Sequence, residues 1–369
     1  MPTLGHRHHL VEALAAKAAQ PLSYLSGNYS DQETWRGYAR KKIFELLHYA
    51  PPRVDFQAEV GESDDLGDFT RRKVWFSSSQ HTRVSAYLLV PRITRGKLPG
   101  ILCLHDHGGL FAWGKEKVAP AEADEHPALA EHKQAQYAGQ SVAAELARAG
   151  FAVLATDLFY FGDRRLSGIA EVDGLDLSDP EQHAAFEEIA RANEAPTGLN
   201  LIQAGATLMG LHVWDAIRAA EYLTTVQGVD ARRIGCFGAH SGGLLALYLS
   251  GLCDLVRATV AVGWVSSLRR VVESGVPGTS WTHFAVPGLS NFLDLPDIAC
   301  LTVPRALMLA ALNDEPLFPA ADADRAFADV RKVYREAGKA DDFLSQTSPG
   351  RAVTPTTLRE AVRWFERWI

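Results

Sequence analysis

The stretch "RIGCFGAHSGGLLAL", residues 233–247, decides the fold class. Its first part, "RIGCFG", is a short apolar run typical of a buried strand. Glycines then mark a tight turn, and an apolar helix begins directly after them. A buried strand that enters a helix through a glycine turn is typical of a mainly parallel α/β sheet.

This turn differs at one position from a known catalytic pattern. In a Gly-x-Ser-x-Gly turn, the sharp passage from strand to helix exposes a nucleophilic serine. Counted from Gly238, the serine position holds His240, and a serine follows at position 241. Successive residues of a tight turn point in different directions, so we expect Ser241 to face the helix start, where serine is a good N-cap. A nucleophilic Ser241 remains an alternative.

Composition limits the classes of function. The chain has 369 residues, 47% hydrophobic and 22% charged, with a net charge of −7. These values are typical of an ordinary globular protein and argue against a nucleic-acid-binding surface. No apolar run is long enough for a membrane span, and the first twenty residues lack the layout of a signal peptide. We therefore expect a cytoplasmic protein with a small-molecule substrate and no nucleic-acid or membrane partner; homo-oligomerisation stays open.

The four cysteines do not indicate a disulfide framework or a metal site. They lie in apolar stretches without Cys-x-x-Cys spacing, which favours buried thiols. These are Cys103, Cys236, Cys253 and Cys300.

The order of predicted elements gives an α/β fold: a mainly parallel, doubly wound sheet with antiparallel N-terminal strands. Helical apolar spacing at 10–20 and 34–48 predicts a helical N-terminal extension, residues 1–50, before a core of residues 51–369. Strand-like runs and helical segments then alternate. Strands are predicted at 53–60, 68–78, 82–91, 100–106, 151–157, 233–238, 257–265, 305–312 and 343–348, and helices near 136–149, 202–226, from 241 and near 322–337. Gly338 is the expected stop signal of the helix near 322–337, and a last helix is expected to start after Thr354, with Pro355 just inside it.

Residues 164–200 interrupt this alternation. The segment is rich in carboxylates and leaves the carboxyl end of a strand. A long insertion at that edge is typical of a lid over a site, and a solvated acidic loop with one helix is the alternative.

Several specific motifs follow the predicted strands. They are "LHDHGGLFAWGKEK", "DLFYFGDRR", "LMGLHVWDAIRAAEYL", "RIGCFGAHSGG", "VPGLSNFLDLPDIACLTVPRALML" and "NDEPLFP". With these motifs the chain resembles the α/β-hydrolase superfamily, in its dienelactone-hydrolase-like and acetyl-xylan-esterase-like branch. The resemblance covers nearly everything after about residue 50.

The resemblance implies a serine at the turn, an acid after the following strands and a late histidine. The acid position matches Asp314, whereas His240 holds the serine position and Gly350 or Arg351 stands where the histidine is expected. The last histidine of the chain is His283. The ordinary triad therefore cannot be assembled in the family's order.

An imidazole reaches further than a serine hydroxyl, so we expect His240 to contact Asp314 directly and to act as a general base. The alternative is a relic histidine in an inactive site. For oxyanion binding, the candidates are the helix start and the loop around Gly108, with either Asp106 or His107 reaching the pocket. We predict no metal and no cofactor, because relatives resemble the "HDHGG" segment without needing a metal.

Several side chains are candidates for substrate binding. Near the mouth, Arg351 favours a carboxylate, enolate or phosphate group, unless it is an ordinary surface arginine. The family's acyl-pocket wall corresponds to the segment of His283, which either lines the pocket or belongs to the core. Aromatic walls are predicted from Phe111, Trp113 and Tyr160, with a core role as the alternative.

Three functions remain open. The first is cofactor-free proton-transfer chemistry on a carbonyl compound, such as elimination, C–C cleavage, isomerisation or cyclisation, with His240 as the base. The second is hydrolysis with an unusual nucleophile or with water activated by His240. The third is a catalytically silent ligand-binding protein. We favour the first, because a binding protein has no need of two titratable groups at His240 and Asp314.

Overall fold

A computed structural model describes residues 7–93, 96–122, 124–263, 266–268, 271, 282–315, 318 and 320–369. Within these residues, nine strands form one sheet in the order β1-β2-β3-β5-β4-β6-β7-β8-β9. The strands are β1 Glu59–Asp65, β2 Phe69–Ser77, β3 Arg83–Pro91, β4 Leu98–Leu104, β5 Ala152–Thr156, β6 Val229–Ala239, β7 Val256–Val262, β8 Ala306–Leu312 and β9 Phe343–Ser348. The helices are α1 Arg7–Ala16, α2 Gln32–Leu47, α3 Pro127–Tyr137, α4 Val142–Arg148, α5 Pro180–Gln203, α6 Leu208–Thr225, α7 Ser241–Leu252, α8 Leu295–Cys300, α9 Ala320–Glu336 and α10 Pro355–Trp368.

The sheet has an antiparallel beginning and a parallel remainder. Strands β1, β2, β3 and β5 pair antiparallel in that order. From β5 through β4 and β6 to β9, every pair is parallel. The predicted fold class, with antiparallel N-terminal strands leading into a mainly parallel sheet, is confirmed.

Helices cover both faces of the sheet. One buried apolar cluster includes side chains of α2, α6, α7, α8 and α9, and a second includes side chains of α4 and α10. The parallel strands β4, β5, β7 and β8 and the second half of β6 are almost completely buried, as expected for strands covered on both sides.

Two predicted elements have different boundaries. The first strand was predicted at 53–60, but β1 begins at Glu59, and its side chains are nearly all exposed at the sheet edge. No apolar alternation could mark such a strand. The helix predicted near 136–149 is α4, which begins only at Val142, because Ala138 and Gly139 adopt positive φ angles of 51° and 74° and end the preceding helix α3. The predicted helix signals at Gly338, with φ 68°, and at Thr354 before Pro355 are confirmed.

Helix α2, near the start of the chain, shares the core of the sheet. Helix α2 buries Trp35 and Ile43 completely. At its end, the carbonyl of Leu47 accepts a 2.7 Å hydrogen bond from the hydroxyl of Thr207, just before α6. A Cβ atom at Gly210 would lie 2.1 Å from that same carbonyl oxygen. Helix α2 is therefore packed into the main apolar cluster.

Helix α5 occupies most of the predicted insertion. It begins after Asp179, whose carboxylate caps the N–H groups of Glu181 and Gln182, and it ends at Gln203. Its inner face packs on the loop that follows β4, at the carboxyl edge of the sheet. In the part of the chain that the structure describes, we find no helix that combines the length and the apolar character of a membrane span.

Candidate active site

The turn at 238–243 has the geometry expected of a strained elbow. Strand β6 ends at Ala239, α7 begins at Ser241, and His240 between them has φ 52° and ψ −123°. A Cβ atom at Gly238 would lie 2.0 Å from the carbonyl oxygen of Gly242, so no larger residue fits there. A non-glycine residue in such a conformation stores strain, which is common where a side chain must be aimed at a site.

His240 has a different partner from the predicted one. Its Nδ1 lies 3.4 Å from Oε2 of Glu315, and both side chains are buried. Asp314 is exposed and makes no hydrogen bond with His240. The expected contact between His240 and Asp314 is therefore wrong. The Nε2 atom of His240 is buried without a hydrogen-bond partner among the described residues.

The tight turn after β8 explains why His240 contacts Glu315 and not Asp314. The N–H of Glu315 donates to the carbonyl of Leu312 at 3.2 Å, so residues 312–315 form a tight turn. Consecutive side chains in such a turn diverge: Asp314 faces solvent, and Glu315 faces the elbow.

The expected position of a late histidine lies beside this turn. The N–H of Asp314 donates to the carbonyl of Gly350 at 3.2 Å, so the loop after β9 adjoins the loop after β8. Arg351 follows on this loop and is exposed.

Ser241 is bound to the loop after β4. Its buried hydroxyl oxygen accepts the backbone N–H of His107 at 2.7 Å. The N-cap position of α7 belongs to His240, which makes no side-chain capping bond. The expectation that Ser241 caps the helix is thus wrong, since its hydroxyl crosses to the neighbouring loop. The His107 N–H, one of the candidate oxyanion donors, is occupied by this contact.

Asp106 lies in a buried hydrogen-bonded cluster. Its Oδ1 accepts the Tyr137 hydroxyl at 2.6 Å and faces His132 Nε2 at 3.0 Å, while Oδ2 has no partner among the described residues. Burial raises the pKa of Asp106, but the charges of His132 and Lys117 outweigh burial and hold it well below the usual range. A Cβ atom at Gly108 would lie 2.1 Å from the His132 ring and 2.3 Å from Asp106 Oδ2. The loop therefore requires glycine at 108.

The buried side chain of Lys117 also binds the loop after β4. The ammonium group of Lys117 donates to the backbone carbonyls of Asp106, at 3.1 Å, and His107, at 2.7 Å. It also lies 4.4 Å from the centre of the Phe161 ring. Burial lowers the pKa of Lys117 to about 8, against the opposing effect of nearby carboxylates. The lysine thus fixes the backbone on which Asp106 and His107 stand.

A chain of imidazoles and one carboxylate lies behind this loop. His107 Nε2 is 3.1 Å from Glu194 Oε1, and His283 Nε2 is 3.6 Å from the same oxygen. His283 Nδ1 is 3.1 Å from His212 Nε2. Burial, reinforced by Lys117 for His107 and by His107 for His283, lowers the pKa of each of these two imidazoles to about 3. Both rings are therefore neutral at ordinary pH.

The predicted aromatic walls are mostly core. Phe111 is completely buried and stacks on Phe161, and Tyr160 is 2% exposed with its hydroxyl donating to the carbonyl of Ala190. Phe111 packs edge-on against the imidazole of His107, and Tyr160 packs edge-on against that of His283. Trp113 is half-buried near His126 and His183, with ring centres 5.0 and 4.8 Å away. These aromatic rings enclose the histidines and do not form an open pocket wall.

Three side chains on one face of α5 bind the loop after β4. Glu187 accepts the backbone N–H groups of Phe111, at 2.8 Å, and Ala112, at 2.9 Å. Arg191 donates to the carbonyl of Gly109 at 3.1 Å, and Glu194 meets His107. Residues 187, 191 and 194 share a helix face by their spacing.

Sequence reasoning missed several residues of this region. The missed side chains are Lys117, His132, Tyr137, Glu187, Glu194, His212 and Glu315. Some signals were present: Glu315 adjoins the family's acid position, and Glu187 and Glu194 belong to the acidic insertion. Tyr137 and His212, by contrast, have ordinary helical neighbours, and only the packing brings them here.

Comparison with known proteins shows what the chain is similar to. The sequence model of the Dienelactone hydrolase family matches residues 136–267, which include the elbow. The YtaP protein of Bacillus subtilis (strain 168), whose description is that of a hydrolase, is 25% identical over 337 residues, 90% of this chain and 100% of YtaP.

Solved structures resemble nearly the whole chain. A Bacteroides fragilis protein described as an acetyl xylan esterase superposes with a TM-score of 0.73 at 16% identity, covering 94% of this chain and 82% of that protein. A glucuronoyl esterase from Solibacter usitatus gives a TM-score of 0.60 at 16% identity, covering 95% and 98%. Likeness at this identity establishes the fold. The predicted resemblance is confirmed: the chain has an α/β-hydrolase fold like these structures, and its residues 136–267 match the Dienelactone hydrolase family model.

Proposed function

We propose that the protein is a non-classical α/β-hydrolase-fold enzyme in which His240 acts as a general base on a carbonyl-containing small molecule, without an organic cofactor. One observation carries this proposal. At the elbow, Nδ1 of His240 faces the Glu315 carboxylate, while Nε2 is buried and has no partner among the described residues.

The chemistry follows from this arrangement. A carboxylate that accepts a proton from Nδ1 fixes the imidazole tautomer, stabilises the charged ring and leaves Nε2 as the proton acceptor. The separation of 3.4 Å between His240 and Glu315 is long for a hydrogen bond. Catalytic hydrogen bonds are often long without substrate and shorten in the complex, so this distance is compatible with the role.

Proton abstraction next to a carbonyl produces an enolate, whose charge needs stabilisation. The first N–H groups of α7 lie directly after His240, and a helix N-terminus favours negative charge. Elimination, C–C cleavage, isomerisation and cyclisation are the reactions that such a base can start. No covalent step at Ser241 is needed, in keeping with the contact between its hydroxyl and the His107 N–H.

Hydrolysis is the second candidate, and the comparisons favour it. The relatives are described as hydrolases and esterases. In this version His240 deprotonates a water molecule, which attacks an ester directly.

A substrate panel in isotopically labelled water distinguishes these functions. The protein is incubated with esters, lactones and β-dicarbonyl compounds in H₂¹⁸O, and products are identified by mass spectrometry. Hydrolysis incorporates ¹⁸O into the acid product, whereas elimination or isomerisation does not. His240→Gln should abolish the turnover, and the exposed His81→Gln should retain it. Turnover that survives His240→Gln would refute the base, and ligand binding without any turnover would favour a silent binding protein.

A further inference from the structure

Three potential metal ligands converge from three separate segments of the chain. His107 stands on the loop after β4, Glu194 on α5, and His283 in the segment 282–284. One ligand atom from each lies within 4.8 Å of the other two. All three side chains are buried, at 5%, 1% and 0% exposure. So compact a group at the junction of three segments calls for an explanation beyond apolar packing.

One potential ligand atom of the cluster, His283 Nε2, makes no hydrogen bond with the described residues. His283 Nε2 is buried without a hydrogen-bond partner among the described residues, 3.6 Å from the Glu194 oxygen. A buried polar atom without a partner is costly. A cation between His283 Nε2 and Glu194 would satisfy that atom.

The ligand types suit a divalent ion of the first transition series. Two imidazoles and one carboxylate are the protein ligands of many catalytic zinc sites and of the non-haem iron triad. Two imidazoles bound to one tetrahedral ion at ~2.1 Å place their ring centres roughly 5 Å apart. The ring centres of His107 and His283 are 5.1 Å apart, with an angle of 80° between the ring planes.

The surroundings also resemble those of a metal site. Ligating histidines usually bind a second group through their other ring nitrogen, which orients the ring. His283 Nδ1 has such a partner in His212 Nε2 at 3.1 Å. Aromatic rings of Phe111, Phe161 and Phe284 surround His107, with ring centres 5.1–6.1 Å away. An apolar wall of this kind excludes water from the ligands.

One contact must change when an ion binds. The N–H of Gly109 donates to His107 Nδ1 at 3.0 Å, which places the ring hydrogen on Nε2, facing Glu194. Metal binding at Nε2 moves this hydrogen to Nδ1, so the Gly109 N–H has to turn away. Gly108 and Gly109 both have positive φ angles, 56° and 69°, and two successive glycines allow their shared peptide to reorient.

We propose that His107, Glu194 and His283 form a binding site for one divalent transition-metal ion, with His212 as the positioning residue of His283. The bound ion fastens helix α5 to the loop after β4 and to the segment 282–284. It is separate from the proposed chemistry of His240, which does not use the ion.

Direct metal binding tests the site without an activity assay. The full chain is produced without a histidine tag, treated with chelator, and titrated with Zn²⁺ and Co²⁺ under a visible spectrophotometer. We expect one equivalent of either ion, a Co²⁺ absorption band in the visible range, and a rise in thermal stability with Zn²⁺. Glu194→Gln should lose this site, and His212→Gln should weaken it roughly 10-fold to 100-fold, the range for residues that support a ligand.

Glu188→Gln is the matched control, because Glu188 is an exposed residue on the same helix. It should bind the ion like the unmodified protein. If the unmodified chain binds no ion, or no more than Glu194→Gln does, the metal site is refuted. The three side chains are then linked only by hydrogen bonds. Circular dichroism shows whether Glu194→Gln is folded; if it is not, His283→Gln is measured in its place. Failure here would leave the His240 proposal untouched, since no readout depends on turnover.

Discussion

The His240 imidazole lies 3.4 Å from the Glu315 carboxylate, while the carboxylate of the preceding residue, Asp314, faces solvent. The two acids are adjacent in sequence and differ in direction by the geometry of one turn. A matched pair of substitutions can therefore separate the carboxylate that touches the imidazole from the one that occupies the family's acid position.

On the true substrate, Glu315→Gln should reduce kcat and Asp314→Asn should leave it nearly unchanged. Removing the base itself by His240→Ala should cost about 10²-fold or more, the usual contribution of general base catalysis. Glu315→Gln should cost less, because the imidazole remains and only its orientation and charge stabilisation are weakened. Steady-state kinetics of the three variants provide the measurement. A large loss in Asp314→Asn with an active Glu315→Gln would restore the assignment made from the sequence.

The fold and the elbow could be predicted from the sequence, but the carboxylate partner of His240 could not. Strand-turn-helix order around Gly238 and His240 is local, so the chain itself encodes it. The choice between Asp314 and Glu315 depends on the direction in which a tight turn points its side chains. The contacts of Glu194 and His212 depend on how α5 and α6 pack, over separations that no spacing rule describes.

Serine-directed reagents should not label the protein. Ser241 accepts the His107 N–H through its hydroxyl oxygen, and no described imidazole nitrogen makes a hydrogen bond with that oxygen. Without a base the hydroxyl stays a weak nucleophile. Fluorophosphonate treatment followed by peptide mass spectrometry checks this, with a classical serine esterase as positive control. His240→Ser should also remain unlabelled, because the chain has no histidine after His283. Stoichiometric labelling of Ser241 would reinstate a serine mechanism.

The loop after β4 should tolerate no side chain at position 108. Gly108→Ala places a Cβ atom within 2.3 Å of both His132 and Asp106, in addition to the strain of a positive φ. Gly67→Ala introduces the same kind of strain, at φ 82°, where no atom lies within 4 Å. We expect Gly108→Ala to be the more destabilising by about 1–3 kcal/mol, the usual cost of overpacking. Urea unfolding of both variants measures the difference in the free energy of unfolding. Equal losses of stability would show that His132 and Asp106 move aside for the added methyl group at no extra cost.

Asp297 should contribute a pH dependence to stability between about pH 4 and 6. Burial raises the pKa of Asp297 from 3.8 to about 6, so the folded protein binds a proton in this window that the unfolded chain has released. Its stabilising contribution is present below pH 4 and is lost as the pH rises through 6. Asp297→Asn should therefore remove this component, while the exposed Asp341→Asn keeps it. Unfolding free energies measured from pH 4 to 7 test this, and parallel curves for the two variants would contradict it.

Helix α5 should protect the backbone of the loop after β4 through Glu187. The N–H groups of Phe111 and Ala112 both donate to this one buried carboxylate, and hydrogen bonds to charged groups contribute about 1.5–3 kcal/mol. Glu187→Ala removes the acceptor and preserves helix propensity, so the two amides should exchange with deuterium more than about tenfold faster. Glu188→Ala, one position along on the exposed side, should leave both rates unchanged. Hydrogen exchange resolved to single amides measures this. If the amides of Phe111 and Ala112 still exchange slowly in Glu187→Ala, the contact with Glu187 does not hold the loop and α5 does not protect it. If they exchange faster, the segment proposed as a lid also fixes the loop beside His240.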